Sequence, residues 1–433
     1  MNNKTNKLIP KLRFPEFVNE GEWNEKKLGD FGRFFRGLTY GADDTSGKGL
    51  LVLRSGNIQN ETLVLDKDLV FVNKECPNEL KLLKGDIVIC MSNGSKALVG
   101  KNAEYKGEYD GKITVGAFCS IMRPKNKFTK YFLQSDAYQN FIALSIGGGN
   151  INNLKNSDLE EFECYAPVSP LEQQKIADCL SSLDEVIAVH TDKLETLKTY
   201  KKGLMQNLFP QDGEKIPKIR FKEFNNDGDW IEKNLIETTS KKVKWSFTGG
   251  PFGSNLKASD YTSNGFRIIQ LQNIGDGEFN DTYKIYTSEE KANELLSCNI
   301  YAGEIIISKM GDPVGRACII PDNIARCVMA SDGIRVVVDE EKYSKYFIYS
   351  LINSKGIREA IEKKATGSTR KRIGLDELKG IKLLIPSRIN EQQKIANTIS
   401  SLDDFIKEQS NKIKELKLHK KGLMQGLFPK MKK

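Results

Sequence analysis

A chain of 433 residues with 66 Lys and Arg against 57 Asp and Glu, a net charge of +9, is longer than one hydrophobic core usually supports, and its charge alone points only weakly to nucleic acid. Its eight cysteines form no Cys-x-x-Cys pair and only two histidines accompany them, so free buried thiols in a reducing compartment are expected and a metal site is not. The start, MNNKTNK, has no apolar signal core, and no apolar run reaches the ~20 residues that cross a bilayer, which leads to the expectation of a cytoplasmic protein with no membrane contact.

In chain order, Ile9-Pro10-Lys11-Leu12-Arg13-Phe14 and Trp23 come first. Short β-rich runs follow, among them Leu50 to Leu53 and Asp86 to Ile89, separated by turns rich in Gly and Asn. A helical stretch is predicted around 130–144, then a polar segment, Gly148 to Leu154. Ser169-Pro170-Leu171-Glu172 reads as an N-cap, a first-turn proline and a capping-box glutamate. From there Ile176, Leu180, Leu183, Ile187, Leu194 and Leu197 recur at alternating steps of four and three, with His190 in the middle and Lys201 near the end, until Pro210 stops the helix. Such a heptad seam calls for a coiled-coil partner, and His190 reads as a polar residue that fixes its register. About 38 residues at ~1.5 Å each make a rod of about 57 Å.

The same order then runs again. Ile216 to Phe221 answers Ile9 to Phe14 and Trp230 answers Trp23, 207 residues on; Asn273-Ile274 answers Asn57-Ile58 at 216, and Gly303-Glu304-Ile305 answers Gly85-Asp86-Ile87 at 218. Strands are predicted at 266–269 and 304–308, and helix around 344–363. Residues 391–429 repeat 172–210 with 23 identities in 39 positions, including KKGLMQGLFP for KKGLMQNLFP, and the seam returns as Ile395, Ile399, Leu402, Ile406, Ile413 and Leu416, with Gln409 in the middle. Two copies of this length are a tandem duplication, since solenoid units are far shorter. The expected fold is α+β: a first module over 1–168, a helix over 169–210, a second module over 211–386 and a second helix over 387–433, starting near Ser387 to Asn390. Each helix is the other's cheapest partner. A return of some 170 residues suits an antiparallel pair with pseudo-twofold symmetry, and the seam alone leaves a parallel pair open.

Catalytic patterns do not emerge. Gly41 to Gly49 resembles a phosphate loop only superficially, because five residues separate its first glycines and glycine follows the lysine where Ser or Thr would hold magnesium. Neither histidine belongs to a His-Glu-x-x-His pattern, and no glycine-rich dinucleotide turn is present. The segments before the two helices, Gly148 to Leu154 and Gly367 to Ile373, align at 219 with matching apolar anchors and different polar residues. A constant frame with different hydrogen-bonding side chains is what reading two short base sequences requires; Arg suits guanine and Asn suits adenine in the major groove, while basic groups also serve phosphates. Candidate contacts are Asn150, Asn152, Asn153 and Lys155 in one half and Ser368, Thr369, Arg370 and Arg372 in the other. Next come Ser92, Asn93, Ser95 and Lys96, then Ser254, Lys257, Gln270, Gln272 and Lys309. Ordinary loop solvation or capping competes at each.

Two variable modules alternating with near-identical helices, each reached from Pro167 or Pro386 through EQQKIA, resemble the specificity subunit of Type I restriction-modification systems over the whole chain. In the second module, Gly250-Pro-Phe-Gly-Ser-Asn-Leu-Lys257, Asp260-Tyr261, Gln272-Asn273-Ile274 and Gly303-Glu304-Ile305 look like the family's target-recognition domain; the first keeps only Arg36-Gly37, Asn57-Ile58 and Gly85-Asp86. The resemblance implies a non-catalytic reader of double-stranded DNA. Two target-recognition domains, held apart by an antiparallel coiled coil, would each take half of a bipartite asymmetric target. The helices would dock two methyltransferase subunits, joined by two restriction subunits, so that S-adenosylmethionine, ATP and magnesium belong to those partners and not to this chain. Half-sites on one face of B-DNA lie about 34 Å apart, which the rod is long enough to match. The rival is a scaffold whose coiled coil spaces two protein-binding modules.

Overall fold

The computed structural model describes residues 8–147, 153–368 and 370–429. They form two compact units, Met1–Thr191 with Asn411–Lys433, and Asp192–Ser410. Each unit therefore holds one α+β module and part of both long helices.

In the first unit, strand Asn24–Lys27 pairs antiparallel with Glu163–Ala166, so the module's ends close on each other. An antiparallel sheet runs Gly32–Arg36, Cys119–Pro124, Ile87–Cys90, Asn102–Glu104, and a second sheet runs Ile113–Val115, Leu50–Leu53, Val70–Val72, Thr45–Ser46, with its first two strands parallel. Leu50–Leu53 and Ile87–Cys90 are continuous apolar runs and every side chain in them is buried, as expected of strands covered on both faces.

The second unit repeats this register. Ile231–Asn234 pairs with Lys382–Ile385; one sheet runs Phe247–Gly249, Gly333–Val336, Ile305–Ser308, Ala317–Ile319, and the other Tyr261–Thr262, Ile285–Thr287, Phe266–Ile269, Arg326–Met329, with Asn299–Tyr301 as an added edge strand. Cys119 sits opposite Cys90 as Gly333 sits opposite Ser308, and Val115 lies beside Leu53 as Met329 lies beside Ile269. Arg36 and Gly249 hold equal places 213 residues apart, whereas Thr45 and Tyr261 are 216 apart. Three extra residues therefore fall in the loop Gly250 to Lys257.

The stretches predicted as helical each hold two helices. Phe128–Phe132 precedes Asp136–Gly147, and Lys345–Ile352 precedes Lys355–Lys364. The breaks fall at serines: Ser135 Oγ donates to the Phe132 carbonyl and Ser354 Oγ to the Leu351 carbonyl, each at 2.7 Å, taking carbonyls that a continuing helix would have used.

The long helices span Pro170–Leu208 and Ile389–Leu427. Within the first unit Ile176 and Leu180 share a core with Leu427 and Phe428, while Leu423 and Met424 pack against it, and Asp184 meets Lys420 at 2.7 Å. Within the second, Ile395 and Ile399 share a core with Leu208 and Phe209, and Asp403 meets Lys201. As one helix number rises the partner's falls, so the pairing in each unit is antiparallel. Ile176, Leu180, Ile395, Ile399 and Ile413 are buried; Leu183, Ile187, Leu194, Leu197, Leu402, Ile406 and Leu416 are half-buried among exposed neighbours.

A buried clamp ties each module to its helix. Arg13 donates through Nε and a terminal nitrogen to the two oxygens of Glu172, both at 2.8 Å, and Arg220 does the same to Glu391. This accounts for the repeated IPKLRF and EQQKIA: the arginine of one needs the glutamate of the other. Trp230 Nε1 adds a bond of 3.2 Å to Glu391, whereas buried Trp23 Nε1 has no partner among the described residues. All eight cysteines are free, with Cys76 and Cys179 half-buried and the rest buried.

Candidate nucleic-acid interface

Four short segments converge in the second module. At the first, Gly250 comes so close to another strand that a Cβ there would lie 1.8 Å from the Ala330 carbonyl oxygen; only glycine fits, and the chain then turns out through Pro251 and Phe252, whose ring is 84 % exposed. At the second, Asn273 caps its own turn by accepting from the Gln270 amide at 3.0 Å, presenting Gln270 and Gln272. Ala330 to Asp332 form the third. Phe252, Tyr261, Gln270, Gln272 and Asp332 line one cleft of about 230 Å³. Gln270 donates to the Tyr261 hydroxyl at 3.2 Å and accepts from Gln272 at 3.0 Å.

The fourth segment precedes the second long helix. Thr366 and Arg372 exchange backbone hydrogen bonds of 2.9 and 2.8 Å, closing the neck of a loop that carries Ser368 and Arg370, both exposed. Arg372 also pairs with Met310. Its guanidinium lies 3.5 Å from Asp332 and 3.7 Å from Met310 Sδ, and Lys309 donates its amide to the Asp332 carbonyl at 2.6 Å. Arg372, Lys309, Gln270 and Gln272 are thereby gathered around Asp332. Ser254 and Lys257 stand on the exposed Phe252 loop, the Lys257 amide capped by Asp260 at 2.7 Å.

The first module is assembled from the same parts. Asn153 bridges Ser92 as Arg372 bridges Met310. Asn93 donates to Ser55 Oγ at 3.0 Å and accepts from the Ser95 amide at 3.0 Å, so this side chain is occupied in shaping the loop, while Ser95 and Lys96 are exposed. Lys155 caps the helix Asn156–Glu160 through its backbone, its amide held by Asp158 at 2.8 Å, with an exposed side chain. Asn150, Asn152 and Thr369 lie outside the described residues.

Sequence reasoning passed over three residues on these surfaces. Phe252 and Asp332 line the second module's cleft. Arg54 precedes Asn57 by three, as Gln270 precedes Asn273, and its amide is likewise capped by that asparagine at 2.9 Å. The spacing of 216 that links Asn57 with Asn273 was sufficient to find Arg54 once Gln270 was chosen. Among the described residues, no group of three His, Cys, Asp or Glu is placed to hold a metal ion.

The chain matches the family model described as the Type I restriction modification DNA specificity domain over residues 20–199 and 260–418. It is 22 % identical to the Type I restriction enzyme MjaVIII specificity subunit of Methanocaldococcus jannaschii, with 96 % of this chain and 93 % of the relative covered. It is 26 % identical to the EcoKI specificity subunit of Escherichia coli, covering 84 % and 78 %. Among solved structures it is similar to the S subunit of a Type I restriction-modification system from M. genitalium, with TM-score 0.57, 17 % identity and 98 % and 100 % covered. A structure described as the basis of complex assembly and conformational transition of the type I R-M system gives TM-score 0.52 and 16 % identity, with 94 % and 97 % covered. With two matched stretches that together take in most of its length, this chain belongs to the Type I restriction modification DNA specificity domain family.

Proposed function

We propose that this protein is the DNA specificity subunit of a Type I restriction-modification complex, in which each module reads one half of a bipartite, asymmetric target. The observation that carries this is one backbone frame built twice, with the same buried ladders and caps and different side chains on the same exposed surface: Asn153 against Arg372 and Arg54 against Gln270. A protein that bound one ligand twice would repeat those side chains. Two different half-sites require them to differ.

In this reading the chain itself performs no chemistry. Adenine methylation and DNA cleavage belong to two methyltransferase and two restriction subunits, with S-adenosylmethionine, ATP and magnesium serving those partners. The solved assembly among the similar structures supports such a complex. No helix among the described residues is long and apolar enough to cross a membrane, in keeping with a cytoplasmic role on DNA. The three-residue insertion at Phe252 and the unequal loops between the modules favour two different targets over one palindrome.

The test is to co-express the chain with its methylation subunit and map modified adenines by single-molecule sequencing. A split motif with two short half-sites around a fixed spacer is expected. A stable complex that leaves DNA unmodified and binds it without salt dependence would favour a protein scaffold instead.

A further inference from the structure

The β-ladders align the two modules residue by residue, and this alignment identifies the two positions of the first module that stand where Gln270 and Asp332 stand in the second. The Gly116 amide donates to the Leu53 carbonyl at 2.8 Å, as the Ala330 amide donates to Ile269 at 2.8 Å. Arg54 therefore holds the place of Gln270. Two residues beyond those amides, Phe118 holds the place of Asp332: the Met91 amide meets the Phe118 carbonyl at 2.8 Å as the Lys309 amide meets that of Asp332 at 2.6 Å. Gln270 and Asp332 line the same cleft in the second module.

The first module's two side chains are free for contact. Phe118, in the turn just before strand Cys119–Pro124, is 70 % exposed, and a phenyl ring left so open to water contributes little to folding. Arg54 is exposed, and among the described residues its guanidinium makes one hydrogen bond, a long one of 3.4 Å to the Asp68 carbonyl. Among the described residues no carboxylate lies within ion-pair distance of it, unlike Arg123 with Asp86, or Arg335 with Glu304. A guanidinium without an ion pair gives up nothing of that kind on meeting DNA. Its backbone is fixed by the Asn57 cap, and Asn93 ties the neighbouring Ser55 to the loop that carries Ser92.

We propose that Arg54 and Phe118 are specificity-determining residues of the first module, Arg54 donating both prongs of its guanidinium to O6 and N7 of a guanine and Phe118 packing on the methyl of a nearby thymine in the major groove. This deepens the specificity reading and rests on it. Neither residue is held by the core, so replacing either leaves the fold intact.

The experiment uses the full chain in complex with its methylation subunit. For wild type, Arg54→Gln, Phe118→Ala and Gln270→Ala, the methylated motif is mapped and binding is measured to duplexes carrying each base pair at each half-site position, with thermal melts as the folding control. Arg54→Gln is expected to reduce preference for guanine at one position of one half-site roughly 10- to 100-fold. Phe118→Ala should relax a thymine in the same half-site, and Gln270→Ala should change only the other. An unchanged motif for Arg54→Gln, or equal weakening on cognate and random duplexes, overturns the assignment and makes Arg54 at most a phosphate contact. If the wild-type complex yields no split motif at all, the specificity reading itself fails, and the assignment with it.

Discussion

Replacing Arg372 by alanine separates what this residue does for the fold from what it does for DNA. Its guanidinium is 54 % exposed and lies 3.5 Å from Asp332, which is 19 % exposed. An ion pair this open and this long contributes about 0–1 kcal/mol, so the melting curve should hardly move. A bidentate contact with guanine is worth about 1–3 kcal/mol, which at 1.4 kcal/mol per decade is roughly a 5- to 150-fold rise in Kd. Because Asp332 must release the guanidinium first, a value in the lower half of that range is expected, and Asp332→Asn should tighten cognate binding slightly. The assay is fluorescence anisotropy of the complex on cognate duplex, on duplexes altered at single positions and on random duplex, between about 50 and 200 mM salt. Loss confined to one base position, with an unchanged salt slope, supports base reading. Equal loss on every duplex, with the slope of log K against log salt falling by about 0.9, would refute it and assign Arg372 to a phosphate. Arg370, exposed and without an ion pair among the described residues, goes through the same panel as the control for a loop cation.

Three further outcomes follow from the buried charges and the helices. Glu391→Ala strands the Arg220 guanidinium, 6 % exposed, and the Trp230 indole N–H. Breaking such a pair costs about 3–5 kcal/mol, a drop of roughly 6–20 °C in the second unit's calorimetric transition; a loss under about 1 kcal/mol would mean that the clamp is not needed. Burial alone would raise the Asp184 carboxyl pKa, but Lys420 and Lys130 more than offset it and hold the group below its ordinary value. Its stabilising contribution is therefore full above about pH 4 and fades as pH falls through the lowered pKa. Urea titrations at pH 5 and pH 3 should show wild type losing more stability than Asp184→Asn, and parallel losses would reject the assignment. Deleting 187–193 and 406–412 together removes one heptad from each helix, about 10 Å of rise. The modified DNA should then keep both half-sites and lose about three base pairs of spacer, whereas an unaltered spacer would show that the helices do not set it.

The two long helices and the duplication were legible, because identity at a fixed spacing and a heptad seam are patterns of the sequence itself, whereas the direction in which the helices pair was left open by the seam. The paired ends of the modules were visible only as the repeated Ile-Pro-Lys and Trp; that Arg13 and Arg220 reach buried glutamates 159 and 171 residues away is a long-range fact that no local pattern states. The breaks at Ser135 and Ser354 escaped notice because serine is tolerated in helices until its hydroxyl takes a carbonyl. The loop before the second helix was singled out from its shifting polar residues, and the structure brings its Arg372 beside Asp332. Arg54 stood at the same offset of 216 as Asn57 and was passed over, whereas Phe118 escaped because the offset between copies changes from 213 to 216 to 214 through loops of unequal length, and only the strand register restores its alignment with Asp332.

What repeats between the modules is what the backbone cannot do without. A Cβ on Gly37 would lie 2.2 Å from the Gly116 oxygen, as one on Gly250 would lie 1.8 Å from that of Ala330; Asn57 and Asn273 are buried caps; and Asp184 with Lys420, like Asp403 with Lys201, fixes the helix register from inside the pair. Each of these is a steric or desolvated contact whose loss is costly. What differs, Arg54 for Gln270 and Asn153 for Arg372, is exposed or partly so, and exchanging exposed side chains changes stability by a few tenths of a kcal/mol. Separating the two sets in this way lets the exposed surface change almost independently of the frame, so that, if the proposed assignment holds, a new half-site arises by substitution on one module while the clamps, the caps and the other half-site stay as they are.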